Sequence, residues 1–455
     1  MSALVTSPTY YEVFESTTDN LFVGSPTPVQ LSDGTLIVSF VEFGSASGIA
    51  TEDGGKRRFY RSTDSGATWT LISTLNGSHN GPVWVDGDDN IYVLCMTSGA
   101  GTTVDMRAFE STDGGETWSS HQTIYAATGT RRVSLGACPP IVVDDYYCGV
   151  FHLRTSANFS AFPPPIMVAY CVPVDEVMTP ASWTFSAETT VDSLEAFAIH
   201  RDTGWAIRAR RHEINSGLQV GVTWNSVTPS ITLGTPATRD ILGGDVMWDI
   251  ARHPTNDKYY ALVNPHTDYG YPANEQRNSL ELLEVSTDAQ AYTPIAEIFR
   301  SYPDENSTDS GAAGFQYAGW LRDTDGKLKI IDGKARAAIR VGWDAGSQAG
   351  ASGHNSNRIW YAEVPLTATR KRYRVSASSE ANANAIATAI DPGTMSDASA
   401  HEAEGFTVQK GANGPTPVTN AVGSAYEDSG SQWWLDLDET LMIDARDNES
   451  EAIRV

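Results

Sequence analysis

Basic residues are scarce in this 455-residue chain, where 31 Lys and Arg stand against 56 Asp and Glu for a formal net charge of −25. Proteins that grip phosphates need clustered cations, so nucleic acid is excluded as the expected partner. No run approaches the roughly eighteen apolar residues of a spanning helix, and no membrane span is expected. Cysteine is rare. Cys95, Cys138, Cys148 and Cys171 lie in apolar, strand-like runs without Cys-x-x-Cys spacing, which argues against zinc and for buried free thiols. Asp86-Gly-Asp-Asp-Asn90 has the composition of a calcium loop but neither its spacing nor its distal Glu, and reads as a strand turn. A phosphate loop, a dinucleotide fingerprint and a serine nucleophile elbow are also missing, so no metal and no cofactor are expected. Met1-Ser-Ala-Leu-Val-Thr-Ser7 is followed by neither the basic nor the apolar part of a secretion signal, which predicts production in the cytoplasm. Helical periodicity is absent from about residue 20 to residue 366.

What the chain does contain is one eight-residue phrase written twice: Ser62-Thr-Asp-Ser-Gly-Ala-Thr-Trp69 and Ser111-Thr-Asp-Gly-Gly-Glu-Thr-Trp118. Each reads as a hairpin turn. Asp64 and Asp113 can fold their carboxylates onto backbone N–H groups, Gly66 and Gly115 supply positive φ, and Trp69 and Trp118 tuck an indole beneath the turn. Ahead of each lie three strand-like segments, as in Thr27–Phe40 with its Asp33-Gly34 turn and then Arg57–Arg61. The unit recurs at about fifty residues, a period typical of propellers and solenoids. Looser copies follow around residues 134–186, 196–224, 248–292 and 315–366. The strand at Tyr10–Glu15 is placed to close the last unit. The expected fold is therefore all-β, a six-bladed β-propeller over residues 1–368. Residues 369–455 read as a small C-terminal α+β or assembly segment, with a basic cluster at Arg370–Arg374, a short helix over 379–390 stopped by Pro392-Gly393, and strands near 405–409 and 432–438. This segment is the expected route to a homo-oligomer or larger assembly.

The motif Ser-x-Asp-x-Gly-x-x-Trp resembles the Asp box, or BNR repeat, of sialidase-like β-propellers, and the resemblance spans roughly residues 20 to 366. It implies a carbohydrate ligand and a site at the blade tops near the axis. Sialidases clamp a substrate carboxylate with arginines, which meet it through two parallel charge-assisted hydrogen bonds, and use a Tyr nucleophile activated by a Glu. Phe315-Gln-Tyr317 resembles the nucleophile strand and nominates Tyr317. Glu195 stands before an inner strand like the family's Glu, with Arg208 and Arg210 following as the second arginine. Gln276-Arg277-Asn278 is similar to the third arginine's segment. Glu52 and Asp53 are placed to serve as acid/base. Blade one departs from the pattern: Gly24-Ser25-Pro26 stands where the family has Arg-Ile-Pro, and Arg57 or Arg58 are the substitutes within reach.

Three functions are compatible with these residues. A retaining exo-glycosidase acting on an acidic surface glycan uses Tyr317 and Glu195. A non-catalytic adhesin or structural subunit of a virus tail or other assembly keeps only the scaffold and the receptor-binding role. A uronate polysaccharide lyase needs a His beside a Tyr, with His79, His152, His212, His253, His266 and His354 as candidates. Tyr269, Tyr271 and Trp320 are candidate sugar-stacking platforms. For a protein without an export signal, release or incorporation into a virus particle is the expected way to meet an external glycan.

Overall fold

Short apolar runs separated by Gly, Asp and Asn turns make antiparallel strands wherever this chain is regular. The computed structural model describes residues 9–16, 21–44, 55–97, 104–129, 131–154, 166–191, 193–201, 204–210, 216–240, 249–264, 279–286, 292–300, 314–342, 356–366, 372–377, 407–410, 416–417 and 433–438. Among these, helix is limited to one 3₁₀ turn at Pro180–Ser182, and no helix is long and apolar enough to cross a membrane.

Strand β1 (Tyr10–Glu15) precedes blade one, formed by β2 (Leu21–Gln30), β3 (Leu36–Gly44), β4 (Lys56–Ser62) and β5 (Thr70–Asn76). Blade two is β6 (Val83–Val85), β7 (Ile91–Met96), β8 (Met106–Ser111) and β9 (Gln122–Tyr125). In blade three both the first and the last strand are split. Its members are β10 (Arg132–Ser134), β11 (Ile141–Val143), β12 (Tyr146–Arg154), β13 (Ile166–Pro173), β14 (Thr184–Phe185) and β15 (Thr189–Thr190). Blade four holds β16 (Leu194–His200), β17 (Trp205–Arg210), β18 (Ser216–Asn225), β19 (Ser230–Leu233) and β20 (Ala237–Asp240). Blade five is β21 (Asp249–Arg252), β22 (Tyr259–Val263), β23 (Ser279–Val285) and β24 (Tyr292–Arg300). Blade six is β25 (Gly314–Trp320), β26 (Lys334–Gly342) and β27 (Arg358–Pro365), completed by β1, which pairs with β27 and sets Glu12 opposite Trp360. The chain's first strand thus closes its last blade. This is the six-bladed β-propeller that the repeat predicted, with ring closure leaving little free edge.

Apolar layers between neighbouring blades hold the ring. Leu94, Met106, Phe151 and Val168 pack between blades two and three, and Cys148, Met167, Trp205 and Val220 between three and four. All four cysteines are buried thiols. The two repeated turns behave as their composition requires. In the first, Gly66 N–H donates to Ser62 Oγ at 2.8 Å, and Thr68 donates to Asp64 from its backbone N–H at 2.9 Å and its hydroxyl at 2.6 Å. These donors hold the Asp64 carboxyl down to about 2, and matching bonds from Thr117 do the same for Asp113. The indoles then reach neighbouring blades, Trp69 edge-on to Tyr361 at 5.4 Å and Trp118 against Phe59 at 4.4 Å.

One end of the axis is plugged. The Asp325-Gly326 turn of blade six crosses to blade three, where Val142 N–H donates to Asp325 O at 3.1 Å. Gly326, at φ +84, packs so tightly there that a Cβ would lie 2.8 Å from the Ile141 Cα. A site on the axis therefore opens at the opposite end.

In the C-terminal segment, β28 (Arg372–Ala377), β29 (Thr407–Lys410), β30 (Thr416–Pro417) and β31 (Trp433–Asp438) form a sheet of order β28-β31-β29-β30, with Arg374 opposite Asp436. The helix expected over 379–390 lies outside the described residues.

Candidate active site

The first strands of the blades abut one another and line the axis, β2 beside β6 and β25, and β21 beside β16 and β25. Since strands alternate in direction, the starts of first and third strands and the ends of second strands share one end of the ring, the end away from the plug. Buried polar side chains collect there: Glu42, Arg57, His152, Ser193, Arg208, Gln219, Asn264, Gln316 and Arg340 are all under a tenth exposed. Burying charged and polar groups costs free energy unless each is partnered, which makes this end the candidate site, although Asp249, Arg322 and Arg336 are as deeply buried elsewhere in the ring.

Three first strands carry the same irregularity. In β2, Gly24 pairs with Val41 and Thr27 with Ser39, leaving Ser25 and Pro26 opposite Phe40 alone. In β16, Leu194 pairs with Arg210 and Phe197 with Arg208, leaving Glu195 and Ala196 opposite Ala209. In β25, Gln316 pairs with Arg340 and Gly319 with Ala338, leaving Tyr317 and Ala318 opposite Ile339. Each is a β-bulge, which re-aims a side chain that strict alternation would place elsewhere. The first residue of each bulge is left-handed, at φ 51 for Ser25, 48 for Glu195 and 50 for Tyr317. Glycine normally fills that position, and a side chain there costs about 1–2 kcal/mol. Strain retained at three equivalent points of the ring makes these positions candidates for a functional role.

The bulges bring two predicted residues together. Tyr317 Oη donates a hydrogen bond to Glu195 Oε1 at 3.0 Å, joining blades six and four. The Tyr317 ring packs against a buried cluster whose members include Ala137, Cys138, Phe197 and Ile199, and the Arg340 guanidinium carbon lies 5.1 Å from its centroid. Burial, reinforced by the negative charges of Asp249 and Glu195, pushes the Cys138 thiol well above its ordinary range. Behind Glu195, the Ser193 hydroxyl meets His152 Nε2 at 3.1 Å. In blade one, Ser25 Oγ donates to Asn80 Oδ1, and Asn80 Nδ2 donates to Leu135 O at 3.0 Å, so blades one to three are bridged by neutral groups.

Several of the other predicted residues have partners of their own. Arg208 is 2 % exposed, with Nη1 donating to Gln219 Oε1 at 3.0 Å. Arg210 sits opposite Leu194 in the β16–β17 register. Glu52, Asp53 and Arg277 lie outside the described residues, as do Tyr269, Tyr271, His212, His266 and His354. Arg57 is fully buried and donates to Ser78 Oγ, Ser39 Oγ, His79 O and Gly81 O at 2.8–3.3 Å, tying blade one to blade two. Burial lowers it to about 10, so it stays charged at neutral pH. Arg58 pairs with Glu42 at 2.6 Å and lies over Phe14. Trp320, named above as a sugar platform, is instead fully buried, its Nε1 donating to Tyr260 O at 3.2 Å. The bulges and Arg340 escaped the sequence reading. Gly24-Ser25-Pro26 was visible as a departure, but nothing in the sequence shows it aligning in space with Glu195 and Tyr317.

Among solved structures, the chain superposes on a Trypanosoma rangeli sialidase in complex with sialic acid with TM-score 0.55 and 12% identity, covering 80% of this chain and 60% of that one. Its fold is sialidase-like. A Hadza microbial sialidase gives TM-score 0.51 at 14% identity over 76% of this chain and 66% of its own. A protein of unknown function from Dyadobacter fermentans gives TM-score 0.50 at 13% identity over 78% and 97%. The sialidase-like region thus spans about three fifths of the length of the trypanosomal enzyme. No protein-family model and no curated protein sequence matches the chain.

Proposed function

We propose that this propeller acts on an acidic glycan as a retaining exo-glycosidase, with Tyr317 as nucleophile and Glu195 as its base. The observation that carries the reading is the 3.0 Å hydrogen bond from the Tyr317 hydroxyl to Glu195, made by two strained bulge residues from separate blades. A phenol is a weak nucleophile at neutral pH until an adjacent base takes its proton. A nucleophile that starts neutral also avoids like-charge approach to a sugar carboxylate, which a carboxylate nucleophile does not.

In the first step Tyr317 Oη bonds to the anomeric carbon while the glycosidic C–O bond breaks. The phenol proton passes to Glu195, and the departing oxygen takes a proton from the acid, the part assigned to Glu52 or Asp53. In the second step water attacks the same carbon and gives its proton to that carboxylate. Tyr317 leaves and recovers its proton from Glu195. Arg208 supplies a guanidinium from blade four, with Arg210 and Arg277 as the other clamp candidates. The likeness in fold to a sialidase carrying sialic acid supports the choice of sugar class.

Turnover of a fluorogenic sialoside and related nonulosonic acid conjugates tests this. Tyr317→Phe is expected to lower turnover at least about 1,000-fold, as loss of a nucleophile does. Unchanged turnover in that variant removes the mechanism. A second reading, glycan binding without hydrolysis, is favoured by the neutral Ser25–Asn80 pair at blade one's bulge. It expects binding of the same sugars with no turnover, and no effect of Tyr317→Phe on hydrolysis.

A further inference from the structure

Blade three brings two of the buried thiols together. Cys148 lies in β12 and Cys171 in β13, 23 positions apart, and the antiparallel register sets them directly opposite each other. Residues in that relation have Cα atoms about 4.5–5.5 Å apart in either kind of antiparallel pair. That lies inside the roughly 4.4–6.8 Å that a disulfide spans. Both side chains enter the layer between blades three and four, where they share a cluster with Met167, Trp205 and Val220. Their Sγ atoms stand 2.7 Å apart, about 0.7 Å beyond the length of a disulfide bond. The other two cysteines belong to different layers, Cys95 with Val29 and Phe59 between blades one and two, and Cys138 with Phe197 and Tyr259.

Burial decides when the pair can react. Both residues are 0 % exposed, so an oxidant in solution does not reach them in the closed ring. Burial and the neighbouring Cys171 sulfur also push the Cys148 thiol well above its ordinary range, and it is the thiolate that attacks a disulfide. Folding opens a window. The β12–β13 hairpin pairs residues close in the chain, whereas ring closure must join Tyr10–Glu15 to Arg358–Pro365. Local pairings cost less loop-closure entropy and form first, which leaves the two thiols adjacent before blade four covers them.

We propose that Cys148 and Cys171 are a disulfide site, closed during folding by exchange with a small-molecule disulfide such as glutathione disulfide, which staples the two central strands of blade three. In the first step the thiolate of one cysteine bonds to a sulfur of the oxidant as the oxidant's S–S bond breaks, and the departing thiolate takes up the proton that the cysteine lost. The thiolate of the second cysteine then bonds to the sulfur of the first and expels the other half of the oxidant, which is protonated in the same way. Two protein thiols are oxidised and one small disulfide is reduced to two thiols. The staple also has a place in the architecture. Cys148 stands opposite Ile141 of β11, the residue against which Gly326 of the plug packs, so the bridge backs the strand on which the plug rests. It stabilises by restricting the unfolded chain, and it is independent of the glycan reading.

The test refolds the full chain from urea by dilution, once into dithiothreitol and once into a mixture of reduced and oxidised glutathione. Free thiols are then counted in denaturant with a chromogenic reagent, and non-reduced peptides are mapped by mass spectrometry. Reducing conditions should return all four thiols. Oxidising conditions should return two, with one linked peptide pair joining Cys148 to Cys171 and a higher urea midpoint than the reduced protein. Protein folded in the reduced state before the glutathione is added should form the bridge at least about 10-fold more slowly than the refolding chain, because its thiols are covered. In Cys171→Ala the packing loss lowers both midpoints alike, so the gain from oxidation should vanish. Four free thiols after oxidising refolding, a bridge between other cysteines, or a midpoint gain that persists in Cys171→Ala overturns the site. Equal rates in the folded and refolding protein overturn its closure during folding. The peptide map of the parent chain decides the pairing whether or not the variant folds.

Discussion

Glu195 and Tyr317, whose side chains meet at 3.0 Å, also share a backbone state: both lead a bulge in a first strand with φ near 50°. The strain is local and separable from the chemistry. Glu195→Ala removes the carboxylate but keeps a Cβ in the left-handed region, whereas Glu195→Gly removes the carboxylate and the steric conflict together. Both variants are expected to lose turnover. Glu195→Gly should nonetheless be more stable than Glu195→Ala by about 1 kcal/mol, the reverse of the order expected in a regular strand. Chemical denaturation of the two proteins measures this. An alanine variant as stable as the glycine variant would mean that the bulge is not strained.

Arg57 separates structure from function in the opposite sense. Its guanidinium satisfies two hydroxyls and the carbonyls of His79 and Gly81 in a fully buried setting. Arg57→Met keeps the stem and orphans those oxygens, at about 1–3 kcal/mol for each one left without a partner. The variant should therefore lose about 3 kcal/mol or more of stability, seen as a lower thermal midpoint. Below that midpoint, its apparent affinity for an acidic sugar should stay within about twofold of the parent. A stable Arg57→Met protein with weakened sugar binding would place Arg57 in the clamp.

The repeat was legible because a turn is a local object. Ser62 to Trp69 and Ser111 to Trp118 encode their own hydrogen bonds, and the blade period follows from their spacing. Tyr317 and Glu195 were legible through the strands that carry them. The bulges were not, because a bulge is a mismatch between two strands and neither strand alone contains it. Arg340 was missed for a related reason: it lies on a second strand, 23 positions after Tyr317, and only the Gln316–Arg340 register brings it to that ring. Trp320 was misread because one strand places a platform and a core residue in the same sequence pattern. Its full burial becomes visible only once blades five and six are packed together.

Among the described residues, His79 and His200 are the histidines whose values are lowered furthest, with smaller downward shifts at His121 and His253. His79 is half-buried, but both ring nitrogens are out of reach of solvent and neither is hydrogen-bonded, and burial, aided by the charge of Arg57, lowers it to about 4. His200 is lowered to about 4 as well, chiefly by burial, which outweighs the opposing contact of its Nε2 with Val142 O. Between about pH 6.5 and 4 the unfolded chain binds protons that these folded sites refuse, so stability falls as pH falls through that window and is level above it. Each proton contributes a slope of up to about 1.4 kcal/mol per pH unit. Asp64 and Asp113 titrate lower, toward about 2, and their contribution is lost only below this window. Urea midpoints across the range should slope upward with pH, and His79→Leu should make that slope measurably shallower. A parallel profile in that variant would show that His79 is protonated in the folded state.

Ring closure predicts the last outcome. Gly66, at φ +95, lies in the first repeated turn of blade one and faces Tyr361 of blade six, where a Cβ would come 2.8 Å from the phenol ring. Trp69 of the same turn meets Tyr361 edge-on at 5.4 Å and anchors its Nε1 on Gly66 O at 2.8 Å. The turn therefore latches the first blade to the last, next to the strand pair β1–β27 that joins the two ends of the ring. Gly66→Ala strains the backbone and pushes on a buried ring at once, for an expected loss of about 2–4 kcal/mol. Gly34 has the same left-handed φ, at +90, but open space around it, so Gly34→Ala should show only the backbone part, about 1 kcal/mol. The difference between the two variants isolates the blade contact. Adding Tyr361→Leu, which shortens the opposing ring, should recover part of the Gly66→Ala loss but none of the Gly34→Ala loss. A double variant in which the two losses simply add would show that the turn and the last blade are not coupled through this contact.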